Sequence, residues 1–256
     1  MAQPLLELSG VTVRFGGLVA LDEVALSVPP GRVIGVIGPN GAGKTTLFNV
    51  VCGFVRPQSG TLSWKGRTLT RHRPHDLAGL GIARTLQGLG LFPGLTVLEN
   101  VMAGATKHAR TGVLPALLAL PRADRDEALL RAKAVERLEV LGVADSAHRL
   151  PDELPYGVRK RVALARALVA DPELLLLDEP AAGLSGEEIR ELARLIPQLG
   201  TSVVLVEHHM DLVMSVCDDV AVLDFGRLIA HGSPDEIRDD PAVVAAYLGE
   251  EVELDA

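Results

Sequence analysis

The sequence predicts an α/β fold, with a parallel-sheet core, an antiparallel β subdomain near the N-terminus and a mainly helical insert. Residues 174–177 are a short, wholly apolar run, and residues 202–206 are apolar after Ser202; such runs suit strands covered on both faces in a parallel sheet. Residues 5–28 alternate apolar with polar side chains, as antiparallel strands with one solvated face do. Between Leu130 and Leu141, apolar residues recur every three or four positions, which indicates an amphipathic helix.

Length and composition favour a folded, globular chain. Its 256 residues suffice for one core with a satellite subdomain, and 48% of them are hydrophobic, more than a disordered chain carries. The net charge of −8 argues against nucleic-acid binding, which needs clustered Lys and Arg. Cys52 and Cys217 match neither a disulfide framework nor a metal spacing, so both are predicted to be buried thiols in a reducing compartment.

The remaining elements follow in order. Residues 32–37 form an apolar strand that runs into a glycine-rich turn, and residues 44–53 have helical spacing. The longest apolar run, residues 113–120, contains a proline and is too short to cross a bilayer, so any membrane connection is expected through a partner. The single predicted domain divides into residues 1–87 (β subdomain and first part of the core), 88–155 (helical subdomain), 156–232 (rest of the core) and 233–256 (helical tail).

The glycine-rich turn satisfies the phosphate-binding loop pattern and lies between a strand and a helix, where that loop must be. Glycines let successive backbone N–H groups point inward, and the helix N-terminus adds positive partial charge. Lys44 is expected to reach the outer phosphates of a nucleotide, with Thr45 on Mg²⁺. A chance glycine-rich turn is the alternative. The residues predicted to bind ATP here are Gly38, Pro39, Asn40, Gly41, Ala42, Gly43, Lys44, Thr45 and Thr46.

Two carboxylates end the apolar run at residues 174–177. Ligand sites cluster at such strand ends, so Asp178 is expected to hold hydrated Mg²⁺. Glu179 is expected to polarise the water that attacks the γ-phosphate. Without the phosphate loop upstream, ordinary helix-capping residues would be an equally good interpretation.

The order of these motifs resembles the ATP-binding cassette (ABC) transporter family over nearly the whole chain. The residues that carry the resemblance are Gly38 to Thr46, Gln87, the segment Leu154, Pro155, Tyr156 and Gly157, residues 174–179, and His208. The resemblance implies a phosphate-loop ATPase that converts ATP and water to ADP and phosphate, with Lys44, Glu179 and His208 as catalytic residues.

The resemblance also implies a role for each remaining motif. Gln87 would bind Mg²⁺ together with Thr45 and Asp178, and His208 would lie near the γ-phosphate. Phe15 falls where the family stacks an aromatic ring on adenine, although a Phe buried in a strand is the alternative. The signature loop, Leu154, Pro155, Tyr156 and Gly157, would contact ATP held by the opposite subunit of a head-to-tail dimer.

Departures from the commonest motifs point to one branch of the family. Pro155, Tyr156 and Val158 replace the usual Ser, Gly and Gln of the signature, and Ser185 replaces an Asp in the loop that crosses between subunits. The Leu-Pro-Tyr-Gly form nevertheless resembles the larger ATPase of branched-chain amino acid importers. Residues 91–101, 207–210 and 245–249 resemble the same protein.

That branch implies the partners and the location. The partners would be a second ABC ATPase subunit (a related chain or a second copy), two transmembrane permease subunits and, indirectly, an extracytoplasmic substrate-binding protein, without nucleic acid. The chain would lie on the cytoplasmic face of the inner or plasma membrane, attached through the permease. Its cargo would be branched-chain or other amino acids. Alternatives are the ATPase of a lipid or lipopolysaccharide exporter, a non-transport cassette protein, or a small-molecule kinase.

Three apparent motifs are discounted: a kinase metal motif at residues 224–226, a nucleic-acid groove at residues 159–161 and a metal site at His208 and His209. Residues 224–226 should form a turn between strands. Arg159, Lys160 and Arg161 should form a solvated helix face. His208 and His209 are adjacent and so cannot share one face of a strand, which argues against a metal site there.

Overall fold

The computed structural model describes residues 3–85, 88–105 and 121–254, with side chains in the last range described from 126 to 247. Gln87 and the apolar run at 113–120 therefore lie outside the described residues. In chain order the strands are β1 (Leu6–Phe15), β2 (Leu18–Val28), β3 (Val33–Ile37), β4 (Ser59–Trp64), β5 (Arg67–Thr68), β6 (Ile82–Arg84), β7 (Leu174–Asp178), β8 (Ser202–Val206), β9 (Asp219–Asp224) and β10 (Arg227–Gly232).

The helices lie between and after these strands. They are α1 (Lys44–Val51), α2 (Leu77–Leu80), α3 (Val97–Gly104), α4 (Pro121–Val140), α5 (Tyr156–Leu168), α6 (Gly186–Leu195), α7 (Met210–Val216), α8 (Pro234–Arg238) and α9 (Pro241–Leu254). Short 3₁₀ helices lie at Pro74–Asp76, Ala144–Ser146, Pro151–Glu153 and Ile196–Gln198. Over the described ranges, no helix is both long and apolar enough to span a membrane.

The predicted β subdomain is a four-stranded antiparallel sheet in the part of the chain described, with the order β2-β1-β4-β5. Its strands alternate: Leu6 and Leu8 are buried whereas Glu7 is exposed. One face of the sheet can therefore pack on the core while the other meets water. The prediction over residues 5–28 is confirmed, and β4 and β5 extend the same sheet.

The second sheet has the order β10-β9-β3-β8-β7-β6 across the described residues. Strands β9, β3, β8, β7 and β6 pair in parallel, and β10 is antiparallel to β9. In β3, Ile34 and Val36 pack into one hydrophobic cluster while Val33 and Ile37 pack into another. The sheet thus separates two cores, which is why β3, β7 and β8 are apolar at nearly every position.

Parallel pairing brings the ends of three strands to one edge of the sheet. Strand β8 lies between β3 and β7, and Val206 at its end is in register with Val36 of β3 and with Asp178 of β7. Whatever follows these strands therefore meets at one place, as in other open α/β sheets.

Helices α3, α4 and α5 pack against one another beside this core. Helix α3 begins with a capping box between Thr96 and Glu99. The fully buried Asn100 donates to the carbonyl groups of Phe92, Leu95 and Thr96, which fixes the preceding loop. The division of the chain at residue 155 stays a prediction, since α5 begins at Tyr156 and packs on both α3 and α4.

Both cysteines are buried and free. Burial raises the pKa of Cys52, and burial together with the charge of Asp218 raises the pKa of Cys217 to about 12. Both thiols are therefore protonated and unreactive near neutral pH. The prediction that they are buried is confirmed.

Candidate active site

The phosphate loop connects β3 to α1 and needs glycine at its tightest points. Gly38 has a φ of 145°, and a Cβ there would lie 2.0 Å from the carbonyl oxygen of Leu223. Gly43 has a φ of 105°, and its Cβ would lie 2.5 Å from the carbonyl oxygen of Ala20. These backbone contacts leave no room for a side chain at Gly38 or Gly43. Both positions therefore require glycine, which also adopts a positive φ without strain.

Lys44 begins helix α1 and folds back over the loop. Its Nζ donates to the carbonyl oxygens of Gly38 at 2.6 Å and of Pro39 at 2.7 Å. The ammonium therefore lies against the first residues of the loop. A phosphate bound by the loop would contact both this charge and the N-terminus of α1. In the same turn, Thr45 is exposed and Thr46 is half-buried.

Asp178 ends β7 with its side chain only 2% exposed. Its Oδ2 accepts from a guanidinium nitrogen of Arg84 at 2.7 Å. Its Oδ1 is buried and has no hydrogen-bond partner among the described residues. Mg²⁺ prefers oxygen ligands such as carboxylates, and water bound to Mg²⁺ can donate a hydrogen bond to a carboxylate oxygen. The residues present therefore fit the metal that the sequence predicts.

Glu179 follows Asp178 in a left-handed backbone conformation, with a φ of 47°. Such a conformation is rare for a residue other than Gly, Asn or Asp. Its backbone N–H donates to the carbonyl oxygen of Val206 at 2.9 Å. Glu179 is half-buried and directly follows β7, at the edge of the sheet where β3 and β8 also end.

His208 follows β8 at this edge, with 55% of its side chain exposed. Its ring and that of His209 have centroids 4.4 Å apart, and Nδ1 of His209 lies 3.1 Å from Oε2 of Glu207. The argument from strand alternation was therefore wrong for this pair, because the strand ends at Val206 and both histidines lie beyond it. The carboxylate of Glu207 already accepts backbone N–H groups on both oxygens, which leaves it poorly suited to hold a metal.

The signature loop precedes and opens α5. Leu154 is buried, Pro155 is the residue before the helix, and Tyr156 is 38% exposed. A Cβ on Gly157 would lie 1.9 Å from Oε1 of Glu188, so the start of α5 lies close to the side chain of Glu188 on α6. The start of α5 has no side-chain cap, and the first backbone N–H groups of a helix have no partner within the helix.

Comparison with known proteins decides the family. A family model described as "ABC transporter" matches residues 21–182, well over half of the chain, and one described as "Branched-chain amino acid ATP-binding cassette transporter" matches residues 227–253. The chain belongs to the ABC transporter ATP-binding family. It is an ATPase, and it is the ATP-binding subunit of an ABC transporter.

Similar proteins cover this cassette from end to end. It is 41% identical over 254 residues to the high-affinity branched-chain amino acid transport ATP-binding protein LivG of Salmonella typhimurium, covering 98% of this chain and 100% of the relative. Its identity and coverage are the same against BraF of Pseudomonas aeruginosa, described by the same function. A crystal structure of the ADP conformation of an ABC transporter cassette superposes with a TM-score of 0.83 at 31% identity, covering 97% of this chain and 100% of that one.

Within this cassette, other predicted positions agree with the structure to different degrees. Phe15 at the end of β1 is 51% exposed, so it is not the buried strand residue of the alternative interpretation, and its stacking on adenine stays a prediction. The turn expected at residues 224–226 joins β9 to β10, with Phe225 84% exposed. Gly226 in that turn donates its N–H to the carbonyl oxygen of Ala42 in the phosphate loop at 3.0 Å.

The predicted solvated face at residues 159–161 is wrong. Lys160 donates to the carbonyl oxygens of Glu179 at 3.1 Å and Pro180 at 2.8 Å, and Arg161 pairs with Glu191 at 3.1 Å. Arg159 faces the ring of Tyr156. All three side chains are half-buried, because the side of α5 opposite its apolar stripe also contacts other parts of the cassette.

Three charged residues of this site were not singled out from the sequence as site residues. Arg84 ends β6, Lys160 lies on α5, and Glu207 follows β8. Each contacts the backbone or side chain of residues 178–181. The signal was present for two of them, since Arg84 and Glu207 are charges directly at the ends of apolar strands.

Proposed function

We propose that this cassette hydrolyses ATP to energise a separate permease that imports branched-chain or other amino acids, through ATP-driven dimerisation. The observation that carries the proposal is 41% identity along the whole length of a branched-chain amino acid transport ATP-binding protein. The match of residues 227–253 to a branched-chain amino acid cassette model supports the same branch. Both observations favour an importer over a lipid or lipopolysaccharide exporter.

The chemistry proposed is in-line attack of water on the γ-phosphate of ATP. Lys44 and the N–H groups of residues 38–46 bind the phosphates, Glu179 accepts the proton of the attacking water, and His208 positions the γ-phosphate. Mg²⁺ bound with the nucleotide would neutralise phosphate charge. The residues that would hold it are Thr45, Asp178 and Gln87, the last outside the described residues.

The rest of the site is proposed to bind ATP at two subunits. Phe15 stacks on adenine, which is favourable for any purine face. Leu154, Pro155, Tyr156 and Gly157 contact the ATP of the partner cassette, because the start of α5 offers backbone N–H groups to an anion. Neither subunit then completes a site alone, and ATP binding draws the two together.

The proposed partners are a second ATPase subunit of related sequence, two permease subunits and, through them, a substrate-binding protein on the opposite side of the membrane. The cassette is proposed to lie at the cytoplasmic face, held there by the permease. The acidic balance of the chain, −8 overall, supports the view that nucleic acid is not among its partners.

The test is purification of the tagged full-length chain from detergent-solubilised native membranes, with mass spectrometry of what co-elutes and the untagged strain as control. We expect a second cassette and two hydrophobic permeases. The purified complex, reconstituted in vesicles, should then import leucine, isoleucine or valine on addition of ATP and a binding protein. Co-elution with ribosomes or DNA-repair proteins without a permease would contradict the proposal, as would export of lipid by the reconstituted complex.

A further inference from the structure

We propose that Glu207 and Lys160 are positioning residues for Glu179, whose backbone turn they clamp from two sides. The inference rests on the proposed role of Glu179 as the base that activates water. Neither residue needs to touch ATP or water in this arrangement, because each acts on the main chain at residues 179–181. The clamp also connects the turn to the loop of His208.

Glu207 carries the first half of the argument. Its side chain is fully buried. Its Oε1 accepts the backbone N–H of Ala181 at 2.7 Å, and its Oε2 accepts the N–H groups of His208 at 2.8 Å and His209 at 3.1 Å. An ionised acceptor forms stronger hydrogen bonds than a neutral one. One carboxylate therefore ties the loop after Glu179 to the loop that carries His208.

Lys160 carries the second half. It lies in the first turns of α5, and its Nζ donates to the carbonyl oxygens of Glu179 at 3.1 Å and Pro180 at 2.8 Å. Burial lowers the pKa of Lys160, and the nearby charges of Glu207 and Glu179 act in the opposite direction. The ammonium is thus a partly desolvated charge that the turn itself satisfies.

The backbone of Glu179 requires such support. A left-handed backbone is unfavourable for a residue other than glycine and persists only where its surroundings determine it. Here the carbonyl groups of Glu179 and Pro180 are held by Lys160, the N–H of Ala181 by Glu207, and the N–H of Glu179 by the carbonyl of Val206. Loss of either charge would let the turn relax and the Glu179 side chain leave its direction.

The decisive variant is Glu207→Gln, assayed in the full-length chain with its partner cassette where the two co-purify. An amide keeps the shape of the side chain, but its nitrogen cannot accept a hydrogen bond, so one of the two loops loses its anchor. We expect turnover at saturating Mg-ATP to fall at least about tenfold while KM for ATP stays within about twofold. ATP binding should be little affected because the hydrogen bonds of Glu207 go to residues 181, 208 and 209 and not to the phosphate loop.

Two further variants guard against misfolding and unspecific effects. Lys160→Met removes the other half of the clamp and should show the same split between turnover and KM; it carries the test if Glu207→Gln does not fold. Glu236→Gln is the matched control. Like Glu207, Glu236 accepts a hydrogen bond from a backbone N–H group, here that of Ser233 at the start of α8, and it also accepts from the Ser233 hydroxyl. Its turnover should equal that of the unaltered chain.

The double variant Glu179→Gln with Glu207→Gln separates positioning from a general structural role. If Glu207 acts through Glu179, single-turnover hydrolysis by the double variant should equal that of Glu179→Gln alone. Fully additive losses would overturn the clamp, as would unchanged turnover in both Glu207→Gln and Lys160→Met. Near-normal hydrolysis by Glu179→Gln would instead overturn the proposed base, so the two failures are distinguishable.

Discussion

A guanidinium nitrogen of Arg84 lies 2.7 Å from Oδ2 of Asp178, in a pair whose side chains are 13% and 2% exposed. Arg84 also donates to Oδ1 of Asn49 at 2.9 Å and faces the ring of Phe48. It therefore joins β6 and β7 to α1, the helix that follows the phosphate loop. The pair occupies Oδ2 of Asp178, whereas Oδ1 is buried without a hydrogen-bond partner among the described residues.

Replacement of Arg84 by Met should be strongly destabilising, because it leaves the buried charge of Asp178 unpaired. Breaking a buried pair in this way costs about 3–5 kcal/mol in the free energy of unfolding. Denaturant titration of the purified chain measures this. Adding Asp178→Asn to Arg84→Met should recover part of the loss, since no buried charge remains, and a double variant less stable than Arg84→Met would contradict the interpretation.

Replacement of Glu179 by Gln should slow ATP turnover by at least about a hundredfold, because the amide cannot take a proton from the attacking water. ATP affinity should be unchanged, since the phosphate loop and Lys44 remain. Steady-state hydrolysis and equilibrium binding of ATP measure the two quantities. Hydrolysis near the normal rate would remove Glu179 from the proposed mechanism.

Replacement of Phe15 by Ala should weaken ATP binding roughly tenfold, since stacking of a base on an aromatic side chain contributes about 1–3 kcal/mol. Phe15→Trp should bind as well as the unaltered chain. Phe54→Ala is the matched control, because Phe54 is likewise an exposed phenylalanine, 62% accessible. Equal affinities for the Phe15→Ala and Phe54→Ala variants would exclude the stacking role.

The carboxylate of Asp171 predicts a small, pH-dependent contribution to stability. It follows α5 with a φ of 48° and pairs with Lys133 and with Arg137 of α4, the latter at 2.7 Å. Burial alone would raise the pKa of Asp171, but hydrogen bonds from Lys133 and Arg137 hold it below its ordinary value. A lowered carboxyl pKa stabilises the fold above its unfolded value and loses that effect as pH falls through the folded value.

Asp171→Asn should therefore lower the free energy of unfolding by less than about 1 kcal/mol at neutral pH, because the pairs are largely exposed. Asn tolerates the left-handed backbone, so the change isolates the charge. The difference should shrink below about pH 4. Urea titrations at neutral pH and below about pH 4 measure this difference. Glu139 is an exposed acidic residue on α4, so Glu139→Gln serves as the control. A difference that is unchanged in acid would contradict the assignment.

Local patterns in the sequence were sufficient for much of this molecule. Residues 38–46, the apolar strands β7 and β8, and the amphipathic part of α4 are each encoded within a few neighbouring residues, so their chemistry could be inferred without a partner. The contacts of Lys160 on α5 could not be inferred in this way. Apolar periodicity identifies one buried face of a helix but does not show what packs against its other faces. The error at His208 and His209 has another cause, because strand alternation was applied to two residues that lie beyond residue 206, where both the predicted strand and β8 end.

The sequence by itself determined the phosphate loop, the carboxylates after β7 and the family to which they belong, since glycine spacing and strand ends are local signals. Only the tertiary structure decided that Arg84 meets Asp178 across 94 positions of the chain, and that Glu207 holds the turn of Glu179. These contacts arise from the order and register of the parallel strands, which bring distant strand ends to one edge of the sheet. No pattern within a single segment specifies them.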